Sequence, residues 1–200
     1  MNAKKLTILI IEDNPADTRF VKEALAEGNV GAYDLQYADS ISDGLKKISE
    51  EDFYIVLLDL SLPDSTGLET ITSISEKNKD IPLIVFTGTA DLKVAIRALD
   101  IGAQDYLVKG QFDGAALSRS IRYAIERKKI EVELKKSESQ YRSLFEDSID
   151  GIYITTRGGK YVDVNTALVK MLGYKSKDEL MSIDIKNELY ISEDERPGPD

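Results

Sequence analysis

Cysteine and histidine are both absent from this chain of 200 residues. Without cysteine there is no disulfide, no thiolate metal site and no cysteine nucleophile. Without histidine the usual general base and the commonest zinc ligand are missing, and the chain cannot carry a phosphohistidine of its own. Long apolar runs are missing too. The N-terminal "MNAKKLTILIIEDN" holds only Leu6–Ile11 as an apolar stretch, Thr7 included. That is too short for a secretory signal, and no later run reaches membrane-spanning length. A cytoplasmic protein without membrane insertion is expected. Positive charge is in deficit: 26 Lys and Arg stand against 36 Asp and Glu, a formal net charge of -10. This balance argues against nucleic acid or an anionic membrane as a partner of the whole surface, although a local basic patch stays open. The length allows one or two domains, with chain enough for at least one buried core.

What is present is an alternation. Apolar runs fall at "LTILII" (6–11), "YDLQYA" (33–38), "YIVLLD" (54–59), "IPLIVFT" (81–87) and "DYLV" (105–108). Between them lie amphipathic segments of helical length. "NPADTRFVKEALAEG" has an Asn cap, a Pro at the first helical position and a terminal Gly. "SISDGLKKISEE", "STGLETITSISEK" and "DLKVAIRALDIGA" follow. Five strands alternating with helices read as an α/β fold, a parallel sheet with right-handed crossovers. The first, third and fourth strands are almost uniformly apolar, as strands covered on both faces are.

From Asp113 the texture changes to a proline-free run, apolar at Leu117, Ile121, Ile125, Ile130, Leu134, Tyr141 and Leu144. The spacing is mostly in threes, fours and sevens, with a slip of register around Lys128. It predicts a helix that closes the first domain and continues as a linker. Its exposed stripe either pairs with a second copy, giving a homodimer through a two-stranded coiled coil, or belongs to a single amphipathic helix lying on its own domain. Beyond it "GIYITTRGGKYVDVN" reads as a hairpin turning at Gly158-Gly159. "ALVKMLGY" and "SKDELMS" read as short helices, and "EDERPGPD" (193–200) as a polar, turn-rich end. These pieces are too few to close a core of their own.

In an open parallel sheet, ligands sit beyond the carboxyl ends of the strands. The first strand ends in Glu12-Asp13, the third in Asp59, the fourth in Thr87 and the fifth in Lys109. An unpaired buried carboxylate is costly, so Asp59 at the end of "FYIVLLD" needs water or a partner. Three carboxylates on one edge repel unless a cation neutralises them. In a chain with neither His nor Cys, a hard cation with oxygen ligands fits, and Mg2+ suits one or two carboxylates plus a phosphate. Asp59 is then a candidate nucleophile that attacks phosphorus to give an acyl phosphate. Mg2+, Lys109 and Thr87 would stabilise the equatorial oxygens of the transferring group. Taken singly, each residue has a plainer reading. Asp59 could be a turn or cap residue, Thr87 a helix cap, Lys109 a solvated lysine, and Glu12-Asp13 helix-terminal charge. Their arrival at the ends of different strands in one alternating pattern favours the chemistry.

The set "IIEDN", "LLDLSLPDSTG", "IVFTGTAD" and "DYLVK" resembles the receiver domain of two-component response regulators (CheY-like) over about residues 5–127. The resemblance implies a flavodoxin-like, doubly wound, five-stranded sheet in the order 2-1-3-4-5. It implies that Asp59 accepts a phosphoryl group from the phosphohistidine of a sensor histidine kinase or phosphotransfer protein. It further implies that Asp13, Asp59 and the Ser61 backbone carbonyl ligate Mg2+ directly, with Glu12 acting mainly through water. Thr87 would hydrogen-bond the phosphoryl group and Lys109 would pair with it. Tyr106 stands where the family places an aromatic that swings inward when Thr87 moves, although core packing is its plainer reading. Phosphorylation would thereby bias a surface made of the fourth helix, fifth strand and fifth helix. Ser61 and Thr89 flank the site and should influence hydrolysis. The family usually has Lys-Pro with a cis bond after the fifth strand, where this chain has Lys109-Gly110. Because a non-proline cis bond costs about 2.5–4 kcal/mol, the bond is expected either trans with a shifted loop or cis with the strain on Gly.

The stretch from "SQYRSLFEDSIDGIYITT" through "SKDEL" resembles the start of a PAS domain over about 137–196. The expected organisation is a receiver at 1–127, a helical linker at 128–146 and a partial PAS-like α+β segment at 147–200. A receiver of this kind catalyses only its own phosphorylation and dephosphorylation. No helix-turn-helix follows it, so direct transcriptional control is not expected. The competing reading is a Mg2+-dependent phosphatase with an aspartyl nucleophile. The haloacid-dehalogenase pattern asks for a second Asp two residues after the first, where this chain has Ser61. A receiver that only binds partners would lack the Asp, the Lys or the hydroxyl, and none is missing.

Overall fold

The computed structural model describes residues 6–88 and 92–183, so Thr89 and the 193–200 end lie outside the described residues. The chain divides into two compact units, Met1–Val132 and Glu133–Asp200. In the first, strands β1 (Leu6–Ile11), β2 (Tyr33–Ala38) and β3 (Ile55–Asp59) alternate with helices α1 (Pro15–Glu27) and α2 (Ile41–Glu50). A two-residue antiparallel pair, β4 (Ser61–Leu62) with β5 (Ser65–Thr66), leads into α3 (Glu69–Lys77). Then come β6 (Leu83–Thr87), α4 (Leu92–Asp100), β7 (Asp105–Val108) and α5 (Gly114–Glu146). The five long strands are parallel in the order β2-β1-β3-β6-β7, the flavodoxin-like order expected from the sequence. The small β4–β5 pair was not anticipated. Two residues per strand carry no readable alternation.

Side chains alternate across a strand with a period of two, and the core divides accordingly. Leu9, Ile11, Val56, Leu58, Leu83 and Val85 face one layer with Ile41, Ile48, Ile71, Ile74 and Ala98. Ile8, Ile10, Ile55, Leu57, Ile84 and Phe86 face the other, with Val21, Leu25, Leu117 and Ile121. Fully burying each such side chain contributes roughly 1.5–3 kcal/mol, so the almost uniformly apolar strands β1, β3 and β6 lie between the two helical layers. The edge strand β2 is half exposed and accordingly mixed in sequence.

Local chemistry sets the helix ends. Asn14 accepts a hydrogen bond from the Ala16 N–H at 2.9 Å, and Pro15 occupies the first turn, where its missing N–H costs nothing. The N-terminus of α2 is capped from within by Ser40 and also from the loop after β3. There Asp64 accepts the Ile41 N–H at 2.9 Å, the Ser42 N–H at 3.0 Å and the Ser42 hydroxyl at 2.7 Å. The Ser42 hydroxyl foremost, with those amides, holds the Asp64 carboxyl below the usual carboxylate range.

The register slip around Lys128 has a physical cause. Leu117, Ile121 and Ala124 are buried in the first unit, whereas Ile130, Leu134, Tyr141 and Leu144 are all exposed. The apolar positions before Lys128 thus serve the core of the first unit and those after it do not, and a single heptad register cannot describe both.

In the second unit, β8 (Tyr153–Thr155) and β9 (Tyr161–Val164) form the expected hairpin, with a bulge beside Thr155. Two short helices follow, α6 (Thr166–Met171) and α7 (Lys177–Met181). Its centre is Asn165, which is fully buried. The side chain donates to the carbonyls of Phe145 and Asp150 at 2.8 and 2.9 Å and accepts from the N–H groups of Ile152 and Leu168 at 2.9 and 3.0 Å. One amide therefore caps α6 and ties it to the hairpin with its hydrogen-bonding capacity largely used. Tyr161, Val164, Val169 and Leu180 pack around it as a small core of described residues.

Candidate functional site

The carboxyl ends of β1, β3 and β7 deliver their polar residues to one place. Lys109 Nζ lies 2.6 Å from Glu12 Oε2 and 3.0 Å from Asp59 Oδ2. Carboxylate oxygens of Glu12, Asp13 and Asp59 all fall within 4.8 Å of one another. Glu12 and Asp59 are buried and Asp13 is exposed. Thr87, also buried, ends β6, and its carbonyl accepts the Lys109 N–H at 2.9 Å. Asp59 and Phe86 are register partners, so Thr87 follows directly on the strand beside the acid. Four strand ends separated in sequence therefore meet, and the partner that Asp59 needed is the Lys109 ammonium. A groove of about 530 Å³ bordered by Glu12, Asp13, Thr18, Lys22, Tyr37 and Asp39 opens beside the carboxylates.

The Lys109-Gly110 bond is trans, since no described peptide bond is cis. Gln111 N–H closes a four-residue turn on the Val108 carbonyl at 3.0 Å. Gly110 occupies its third position at φ +75°, a conformation that glycine adopts without a Cβ penalty. This alternative of the two left open thus holds, and the ammonium still reaches the acids. Tyr106, register partner of Val85, is half-buried against the core layer of Leu58 and Val85. Ser61 is exposed in β4, two residues past Asp59.

One participant was not foreseen. Asp17, in the first turn of α1, places Oδ2 2.8 Å from Lys109 Nζ. In sequence it is an acid near a helix N-terminus, which the helix dipole alone explains. Nothing local reports a contact with a lysine 92 positions later.

Electrostatics follow from burial and pairing. Desolvation, the largest influence on Glu12, raises its pKa, and its contacts with Lys109 and the Asn14 N–H only partly oppose this. Glu12 Oε2 is buried, and the Lys109 ammonium 2.6 Å away is its partner. For Lys109, burial alone would lower the pKa. Contacts with Asp17, Glu12 and Asp59 together outweigh it and raise the pKa above the usual lysine value. Three carboxylates whose oxygens lie this close, with no nitrogen or sulfur ligand at hand, suit a hard divalent cation.

A family model for the response regulator receiver domain matches residues 8–122, and one for the PAS domain matches 139–198. This chain belongs to the response regulator receiver family, a class of signalling domain in two-component systems. Its first unit is a CheY-like receiver. The response regulator ArlR of Staphylococcus saprophyticus is 36% identical over 120 residues, 60% of this chain and 52% of that protein. The transcriptional regulatory protein KdpE of Staphylococcus aureus is 39% identical over 102 residues, 51% of this chain and 42% of that protein. The chain thus spans about half the length of these two relatives, and less of some others it matches. Among solved structures, a CheY-like receiver from Methanospirillum hungatei superposes with TM-score 0.55 and 28% identity, covering 64% of this chain and 99% of its own. The beryllofluoride-activated NtrC4 receiver domain dimer superposes with TM-score 0.54 and 27% identity, covering 61% and 98%. Among the described residues, no helix is long and apolar enough to cross a membrane.

Proposed function

We propose that Asp59 is the phosphoacceptor of a two-component phosphorelay. An Asp59 carboxylate oxygen attacks the phosphorus of a partner's phosphohistidine, the P–N bond breaks, the imidazole leaves, and an acyl phosphate remains. These 200 residues hold no histidine, so the donor histidine lies outside them, in a sensor histidine kinase or phosphotransfer protein. Asp13, Asp59 and the Ser61 carbonyl would hold Mg2+, with Glu12 acting through water, and the ion would supply charge neutralisation of the phosphoryl oxygens. Lys109 would turn the N–H it now directs at Asp59 toward a phosphoryl oxygen, and Thr87 would donate its hydroxyl to another. Movement of Thr87 would draw Tyr106 inward and bias the face of α4, β7 and α5.

The reading is carried by the Lys109 ammonium, 3.0 Å from a buried Asp59 with Glu12 alongside. The test is acetyl phosphate with Mg2+ on wild type and Asp59→Asn. Stable labelling that requires both Asp59 and Mg2+ supports it. Steady turnover of an external phosphoester would point to a phosphatase instead, and an unlabelled wild-type protein would overturn the assignment.

The receiver is taken to span 1–127, the linker 128–146 and the PAS-like segment 147–200, with action in the cytoplasm. The exposed stripe of Ile130, Leu134, Tyr141 and Leu144 on α5 favours pairing with a second copy. Its four-seven-three spacing fits heptad positions d, a, a and d, with Ser137 at the d between the two a residues.

A further inference from the structure

An ammonium has three N–H donors, and Lys109 meets three carboxylates: Glu12 at 2.6 Å, Asp17 at 2.8 Å and Asp59 at 3.0 Å. Glu12 and Asp59 belong to the cluster that suits a cation, and Asp17 does not. Asp17 projects from α1 with its side chain 32% exposed. Its Oδ2 also accepts from Asn14 Nδ2 at 3.2 Å, the residue that caps the same helix. The third partner of Lys109 is therefore fixed to a different element and stands outside the set of oxygens a cation would claim.

We propose that Asp17 is a positioning residue, anchoring the Lys109 ammonium to α1 so that a divalent cation could engage Asp59 directly and Glu12 through water without the ammonium contesting them. The proposal rests on the phosphoacceptor reading above. An ammonium and a divalent cation would both draw on the negative charge of Glu12 and Asp59. While Asp17 is present, Lys109 would keep a full charge partner beside a bound cation. With Asp17 gone, the ammonium would depend on Glu12 and Asp59 alone and would contest them with the cation. After phosphoryl transfer the same anchor holds Nζ in place, while the N–H that faced Asp59 turns to a phosphoryl oxygen.

The experiment titrates Mg2+ into the full chain as wild type, Asp17→Asn, Asp17→Glu, Lys109→Met and the Asp17→Asn/Lys109→Met pair. Backbone amide shifts in 1H–15N NMR spectra give the affinity and report folding of each variant at once. Asp17→Asn should weaken Mg2+ binding about five- to tenfold. Asp17→Glu, which keeps the charge within reach of the ammonium, should restore it. In the Lys109→Met background the Asp17→Asn change should shrink to less than about twofold, because only the loss of a nearby charge remains. The Lys109 ammonium signal, protected from exchange by its three partners, should broaden in Asp17→Asn. Equal affinity in wild type and Asp17→Asn would overturn the role of Asp17, as would an equal loss in both Lys109 backgrounds, which would mark a simple field effect. If wild type binds Mg2+ and becomes labelled on Asp59, either result leaves the phosphoacceptor reading standing. If wild type binds no Mg2+, that reading falls and takes this one with it.

Discussion

Gly28, at the end of α1, and Gly114, at the start of α5, touch backbone to backbone. A Cβ on Gly28 would lie 2.1 Å from the Gly114 carbonyl oxygen, and one on Gly114 would lie 2.5 Å from the Ala24 carbonyl oxygen. Gly28 has an ordinary helical φ of -75°, so space rather than conformation demands glycine there. The contact sets how closely the first and last helices of the receiver approach beneath Leu25 and Leu117. Gly28→Ala and Gly114→Ala are each expected to destabilise the first unit by about 1–3 kcal/mol through overpacking. Urea unfolding should show a lower midpoint with an unchanged slope.

The raised pKa of Glu12 has a defined sign. A carboxyl whose folded pKa lies above its unfolded one is disfavoured as an anion in the native state, so it lowers stability at neutral pH. That cost is relieved as the pH falls through the folded pKa. Glu12→Gln should therefore raise the melting temperature of the metal-free protein at pH 7, with a gain that shrinks toward acid pH. The same variant should bind Mg2+ more weakly, the trade-off expected where a site carries stored electrostatic cost. A melting temperature unchanged at pH 7 would contradict the burial argument.

Asn165 is the polar hub of the second unit. Asn165→Ala leaves the Ile152 and Leu168 N–H groups and the carbonyls of Phe145 and Asp150 without this partner. The expected loss is about 1–3 kcal/mol for each group left buried and unsatisfied, moderated wherever water enters. Hydrogen exchange should accelerate at Ile152 and Leu168 while the β1, β3 and β6 amides stay protected.

Pairing through α5 would have an unusual salt dependence. With Leu134 and Tyr141 at a, and Ile130 and Leu144 at d, the flanking g and e positions hold Glu126, Glu131, Glu133 and Glu138. In a parallel pair these glutamates oppose glutamates, so the apolar stripe attracts while its borders repel. Sedimentation should show association strengthening from about 50 mM to 500 mM salt, as screening shortens the reach of the repulsion. Leu134→Glu should abolish it. A monomer under all these conditions would leave the stripe to the single-helix reading.

The layers and the sheet could be read from the order of residues alone. Alternating apolar runs of strand length between amphipathic segments admit few arrangements, and apart from Thr7 and the site-forming ends Asp59 and Thr87, β1, β3 and β6 are apolar throughout because both of their faces are covered. The same order also placed Glu12, Asp59, Thr87 and Lys109 at strand ends, since a strand's end is marked by where its apolar run stops. Which side chains touch at that edge follows instead from how the elements pack. Asp17 joins Lys109 because α1 leaves β1 at an angle that turns its first turn toward the site, and Asp64 caps α2 from a loop 22 residues away. Contacts of this kind depend on the packing angle between elements, which no periodicity encodes. The same holds for Gly28 and Gly114: composition marks both as turn residues, and only the approach of two helices reveals that neither has room for a side chain.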